Sequence, residues 1–522
     1  MSIRERCCKI FAFFQRAPQG TVREAADAVG ISKSGAHRHK QAIARRNQYP
    51  ESWFWETDVG FRWLIRFVCA TIYMFGIRGG MGVRALSEFF HLCRVETHLG
   101  ASPSSLCQLV AHIEEVILAY KARYEVSHTA MVHAIVGADE TFFDQIMLVV
   151  VELSSGYIML EESAEDRTFQ TWQDKAGQAL RRLGVEARYM VSDKAKALTK
   201  LALDGLDCPH IPDFFHASYE VVKCLGGRFA TKLTRVRRAL ATARATLDRL
   251  QEKADGFANI CEQEQRIAAL TDEQQHLEQG QMRYHEALQQ LSKTVHPFSC
   301  ETLARQSSTE VSELLQGTLA RLRALSADYA IKDSKNRLGK VEKQGPEIAK
   351  VVDLWWTWTA ESLAPYGLSS ERAAWVCDIV LAEASWRGQA DRTSSSPLRQ
   401  AYHAAHERAR ARLLAHPLTT GLHPQEVRRW QSWAQWMVTK FQRTSSAVEG
   451  RNGVLSRMNH TQRAIPLRRV KVLTVVHNFG LHREDGSTAA ERFFGEPCPD
   501  LFEWIVDHID ELPLPRSRVA TA

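Results

Sequence analysis

Residues 131–143 read MVHAIVGADETFF, residues 145–160 read QIMLVVVELSSGYIML, and residues 187–193 read ARYMVSD. The first is an apolar run that ends in acids. The second holds two β-rich runs joined by Ser154-Ser155-Gly156, a hairpin signal. Thr168–Leu183 has helical spacing and a glycine stop at Gly184. ARYMVSD reads as a short strand, KAKALTKLAL (194–203) as a helix and PHIPDFF (209–215) as another short strand. The order is therefore β-β-β-α-β-α-β-α over residues 131–225. A three-strand meander followed by two strand–helix units demands a mixed, five-stranded sheet.

Outward from this stretch the chain reads as helix on both sides. In TVREAADAVGISKSGAHRHKQAI (21–43), Thr21 caps one helix and Ser32 a second, with Gly30 at the turn, where positive φ is cheap. This fits a helix-turn-helix. Its second helix carries Lys33, His37, Arg38, Lys40, Arg45 and Arg46, which are expected to face DNA. Val83–Cys93 and Ser104–Tyr124 form a second helical pair of the same general kind. After Lys223 the strands stop. Leu233, Val236, Leu240, Ala243, Leu247 and Leu250 make a heptad seam. Gly256 breaks it, and Ile267–Lys293 reads as the return arm of a hairpin. The seam serves either dimerisation or packing within the chain. Residues 301–440 continue helical, rich in tryptophan (Trp355, Trp356, Trp358, Trp430, Trp433, Trp436). Asp391–Pro397 is the most linker-like segment. The end, PLPRSRVATA (513–522), reads as a frayed tail. Predicted boundaries are 1–50 (helix-turn-helix), 51–130 (second helical, DNA-binding region), 131–225 and 441–500 (two parts of one α/β core), 226–440 (all-helical insertion) and 501–522 (tail).

The chain has 522 residues, 45% hydrophobic and 24% charged, which excludes a disordered or collagen-like polymer. Its net charge of +7 is unevenly spread. Residues 1–50, 223–244 and 440–471 each carry +7, leaving a mildly acidic remainder. Basic patches on an acidic body point to a polyanion partner, most simply nucleic acid; singly, each also reads as a solvated helix face. The longest apolar run, Phe67–Ile77, is too short for a membrane span and is expected as a core helix. No secretory signal is expected. The 11 cysteines show no CxxC pair, which fits a reducing cytoplasm. Cys208, His210, His216 and Cys224 match no structural zinc spacing.

Asp139 follows a buried strand and Asp193 follows ARYMV in the same manner. Strand ends that emerge side by side gather ligands into one crevice. Two carboxylates there repel each other unless a cation joins them. Oxygen-only ligation suits Mg²⁺ or Mn²⁺. Holding two ions about 3.5–4 Å apart takes a third carboxylate. Glu449 is the only acid in the basic 440–471 stretch, and Arg451, Asn452 and Arg457 share its segment as phosphate contacts. Lys194 and Lys196 follow Asp193, where backbone contacts to DNA are expected. Strand alternation puts Glu140 on the face opposite Asp139. Trp172 reads as core, with base stacking as the alternative.

GADETFF (137–143), VSDKAKAL (191–198) and SSAVEGRNGVLSR (445–457), in this order and setting, resemble blocks of bacterial insertion-sequence DDE transposases. PDFFHASYEV (212–221) and DGSTAAERFFG (485–495) are similar to two further blocks of theirs. The resemblance covers residues 130–225 and 440–500. It implies a multidomain, mostly α protein whose mixed α/β RNase H-like core is interrupted by a helical insertion and preceded by a helix-turn-helix region. It implies a catalytic, metal-binding triad of Asp139, Asp193 and Glu449, with two Mg²⁺ ions for which Mn²⁺ substitutes. It further implies strand nicking and transfer on double-stranded DNA, at terminal inverted repeats and at a target. His216 is then expected near the scissile phosphate. A homodimer or higher assembly on DNA, no membrane and a bacterial, nucleoid-associated cytoplasmic setting follow. A transposase-derived DNA-binding regulator and a structure-specific nuclease, such as a Holliday-junction resolvase, are the alternative readings.

Overall fold

The computed structural model describes residues 1, 3–125, 131–143, 145–252, 257–462 and 464–515. The Gly256 break and the last seven residues of the tail lie outside the described residues. Five strands form one sheet: β1 (Val132–Phe142), β2 (Ile146–Glu152), β3 (Tyr157–Ala164), β4 (Val185–Ser192) and β5 (His210–Pro212). Their order is β3-β2-β1-β4-β5. β1–β2 and β2–β3 are antiparallel, whereas β1–β4 and β4–β5 are parallel. The expected mixed sheet, strand order along the chain and Ser154–Gly156 turn are all present, with Gly156 at φ +80°. One difference concerns length. β1 continues past Asp139 to Phe142, because β2 pairs with it as far as Ile146.

Both sheet faces are covered, which is why β1 and β2 read as continuous apolar runs rather than alternating ones. Ile135, Val149, Tyr189, Val191 and Ile211 face a core built with the helical insertion. Val136, Ala138, Leu148, Val150 and Met190 face a second core. That core takes in helices between Leu64 and Tyr120, the Phe169–Arg182 helix and the C-terminal helices from Leu467 to Asp507. The described part of residues 51–130, from Trp55 to Tyr124, therefore shares a core with the sheet. The Asp58–Arg78 run is long and apolar enough to cross a membrane by length and composition, yet 56% of its apolar window is buried inside the protein. The segment from 501 is no free tail up to Leu512: Leu501, Ile505, Ile509 and Leu512 are buried.

The insertion opens with an antiparallel hairpin, Phe214–Glu252 and Phe257–Thr294. Leu233, Val236, Leu240 and Ala243 of the heptad seam are buried in the chain's own core, and the return arm starts ten residues earlier than expected. The seam is thus used within the chain. The Asp391–Pro397 segment is only a short break between Leu381–Arg392 and Ser396–Ala415, two helices that pack together. Trp355, Trp358 and Trp430 are core residues, while Trp436 is exposed.

Candidate active site

The sheet register decides the site. Gly137 pairs with Val191 across the parallel β1–β4 ladder, and Ser192 pairs with Pro212 across β4–β5. Carried one or two residues on, the same register sets Asp139 on β1 beside Asp193 and Asp213, the residues that directly follow β4 and β5. On the antiparallel side Asp139 pairs with Val149, which pairs with Glu161. Four acids therefore stand in one row across the sheet. Glu140 points to the other face, as alternation requires, and binds Arg167 at 2.7 Å.

The helix Ser446–Gln462 lies across this row, on β1 and β2. Gly137 lets it approach: a Cβ there would stand 3.0 Å from Val448 Cγ2 and 2.5 Å from Leu153 Cδ2. Asn452 Nδ2 donates to Asp139 Oδ2 at 2.9 Å. Arg451 reaches over β2 to Glu161 on β3, with two hydrogen bonds of 2.7 and 2.6 Å. Both partners are buried, and Thr474 Oγ1 adds a third bond to Glu161 at 2.6 Å. Arg451 is therefore spent inside the fold, which corrects its expected phosphate contact. Asn452 is also buried and contacts Asp139 in place of DNA.

Burial raises the Asp139 carboxyl to about 7, with the Glu449 charge as the next cause and Glu140 and Asp193 adding to it. Asp193 Oδ1 accepts the Ala195 N–H at 3.0 Å, which fixes the turn after β4. Asp213, missed as a site residue in the sequence, is fully buried. It accepts the Phe215 N–H at 2.7 Å, the Ser445 N–H at 3.2 Å, the Ser445 hydroxyl and His216 Nδ1 at 3.1 Å. Burial pushes this carboxyl up, but the bonds from His216, Ser445 and Phe215 outweigh it and hold it below its usual range. His216 Nε2 stands 3.3 Å from Glu449 Oε1. The Asp213 hydrogen bond, against opposing burial, lifts His216 to about 9, so it is an imidazolium at neutral pH. The Asp-x-x-His spacing at a helix start was the available signal for Asp213.

Asp213 also fastens the two ends of the insertion. Phe214 N–H donates to Arg443 O at 3.1 Å, and the Arg443 guanidinium lies over the Phe214 ring. The Tyr189 hydroxyl contacts Lys440 O and Gln442 O at 3.2 and 3.0 Å.

Asp139, Asp193 and Glu449 offer only oxygen donors, which suits a hard dication in kind. Among the described residues no three His, Cys, Asp or Glu side chains close into a metal cage. His216 is the cation at Glu449 in this arrangement.

Other predicted DNA contacts divide. Lys33, His37, Arg38, Lys40 and Arg45 are exposed on the helix Lys33–Arg46, which packs with Ile3–Arg16 and Val22–Val29 around Ala25, Ala26, Ala36 and Ile43. The Thr21 and Ser32 caps and the Gly30 turn (φ +71°) form as expected. Arg46 is corrected: it makes a bidentate pair with fully buried Glu56, which also accepts from Asn47 Nδ2 at 2.8 Å. Lys194 pairs with Glu347 at 2.6 Å, while Lys196 and Arg457 are exposed. Trp172 is wholly buried, which makes it core.

The model of a family of unknown function, DUF6399, matches residues 376–521. That span holds Glu449 and its helix but neither aspartate. No curated protein and no solved structure matches the chain.

Proposed function

We propose that this chain is a DNA transposase of a bacterial insertion sequence, with Asp139, Asp193 and Glu449 as its catalytic, metal-binding triad. The observation that carries the reading is the register that sets Asp139 beside Asp193, with the Glu449 helix laid across them. The strand order, with three antiparallel strands followed by two parallel ones, supports an RNase H-like core. Asp139, Asp193 and Glu449 would hold Mg²⁺, which when bound would supply Lewis-acid activation of a water or DNA 3′-hydroxyl and charge stabilisation at the leaving oxygen.

The remaining work falls to protein groups. Asn452 fixes the Asp139 carboxylate and His216 holds Glu449. Asp213 keeps His216 charged and ties it to the strand ends. The exposed cations of Lys33–Arg45 grip duplex DNA, whose phosphates give affinity and whose groove gives sequence. Two transposon ends call for at least two protomers assembled on DNA, in the cytoplasm.

A mating-out transposition assay tests this, with the gene in its native flanking DNA and equal expression of wild type and Asp193→Ala. The expected outcome is new insertions from the wild type alone. Equal mobility of both overturns the site. Mobility of neither, with duplex binding retained, would favour the regulator.

A further inference from the structure

The helix that starts at Phe214 carries two exposed aromatic rings next to the acids. Phe215 and Tyr219 are 48% and 47% exposed. Four residues apart, they share one helix face. Their rings are nearly parallel, 7° apart, with centroids separated by 6.2 Å. One turn further on, Lys223 Nζ lies 4.2 Å from the Tyr219 ring centroid and also pairs with Glu220 at 3.4 Å. The Phe215 ring lies 5.9 Å from the His216 ring, and His216 reaches Glu449. Asp213, which holds His216, also holds the Phe215 N–H. The aromatic pair is thus fixed to the carboxylate row through one shared anchor.

Leaving two large apolar faces in water forgoes the stabilisation that burying them would bring. The surroundings indicate the occupant. Lys223 stands against the Tyr219 ring, with Glu220 shared between Lys223 and Arg337, and the rest of the helix to Arg244 adds cations and no acid. Flat aromatic faces edged by cations are the chemistry that holds unpaired bases along a phosphate backbone. A base inside a duplex has both faces covered by its neighbours and is held there by pairing, whereas an unpaired base can turn out of the stack and offer a face.

We propose that Phe215 and Tyr219, edged by Lys223, form a stacking platform for an unpaired nucleobase at the end of a DNA strand lying on the acidic row. This rests on the DNA reading above, and the test separates the two. Full-length protein in EDTA is titrated with a blunt duplex and with the same duplex bearing a short single-stranded overhang. The unpaired base is the fluorescent adenine analogue 2-aminopurine. The overhang is expected to bind roughly tenfold more tightly, with quenched fluorescence. Phe215→Leu/Tyr219→Leu is expected to abolish both effects while blunt-duplex affinity stays within about twofold. Phe215→Trp/Tyr219→Phe is expected to keep them. Equal affinity for blunt and overhang DNA without quenching overturns the platform and leaves the DNA reading standing. Binding to neither duplex overturns both. A change of mass in light scattering for the leucine variant overturns the proposal in favour of a contact between copies of the chain.

Discussion

Arg451 and Glu161 form an ion pair whose two side chains are buried. Such a pair is weak evidence of net stabilisation, but losing one partner strands the other. Arg451→Leu is expected to cost about 3–5 kcal/mol. Arg451→Leu/Glu161→Leu is expected to regain most of that in a double-mutant cycle read from urea midpoints. A phosphate contact would instead weaken DNA binding and flatten its salt dependence. In the sequence, Arg451 was indistinguishable from exposed Arg457, because both lie in the basic stretch and only the third dimension supplies Glu161. Arg46 was hidden in the same way by Glu56. The acids were easier to read. Asp139 and Asp193 follow apolar runs, and although each alone also reads as a surface or capping residue, the order of the strands brings the two together.

At the scale of elements, the approach of the Ser446–Gln462 helix to β1 depends on one missing side chain. Gly137→Ala puts a Cβ against Leu153 and Val448. The helix must lift or Leu153 must turn, at a cost of about 1–3 kcal/mol. The expected result is a lower melting temperature together with loss of transposition, since Glu449 rides on that helix. Adding Val448→Ala is expected to restore part of both. The strands themselves were legible because a run of buried residues, a hairpin turn and a glycine stop are local features. The hairpin arms were legible from heptad spacing, but their partner was not, since a seam looks alike whether it meets its own chain or another. Gly137 was invisible as the point of close approach, because nothing near it in the chain reveals a helix that arrives some 300 residues later.

Across the whole molecule, one sheet separates two apolar cores, and two histidines that burial pushes below their usual range stand beside the second of them. His98 has no exposed side-chain surface and neither ring nitrogen has a hydrogen-bond partner. Burial lowers it to about 4, so it stays neutral 3.9 Å from Glu56. His477 is likewise lowered to about 4, by burial first and then by the Arg451 charge. Below pH 6.5 the unfolded chain takes up protons that these two rings refuse. Stability is therefore expected to fall as pH drops from about 6.5 to about 4, by up to about 3 kcal/mol for each ring. His98→Phe is expected to remove its share, read as a smaller shift of the urea midpoint between neutral and acid pH. The domain boundaries drawn along the sequence did not anticipate that residues 64–120 and 467–512 would meet on one face, since sequence distance says little about which helices share a core.

Asp213 and Ser445 meet at the neck of a loop that holds the whole helical insertion. Synthesis runs from the N-terminus, so two aspartates leave the ribosome long before the glutamate does. During that interval the nascent chain holds all five strands of the sheet and both aspartates, but not the Glu449 helix that lies across them. On the transposase reading proposed above, a chain that terminates early inside the insertion would be born inert, unable to cut the DNA of the cell that is making it.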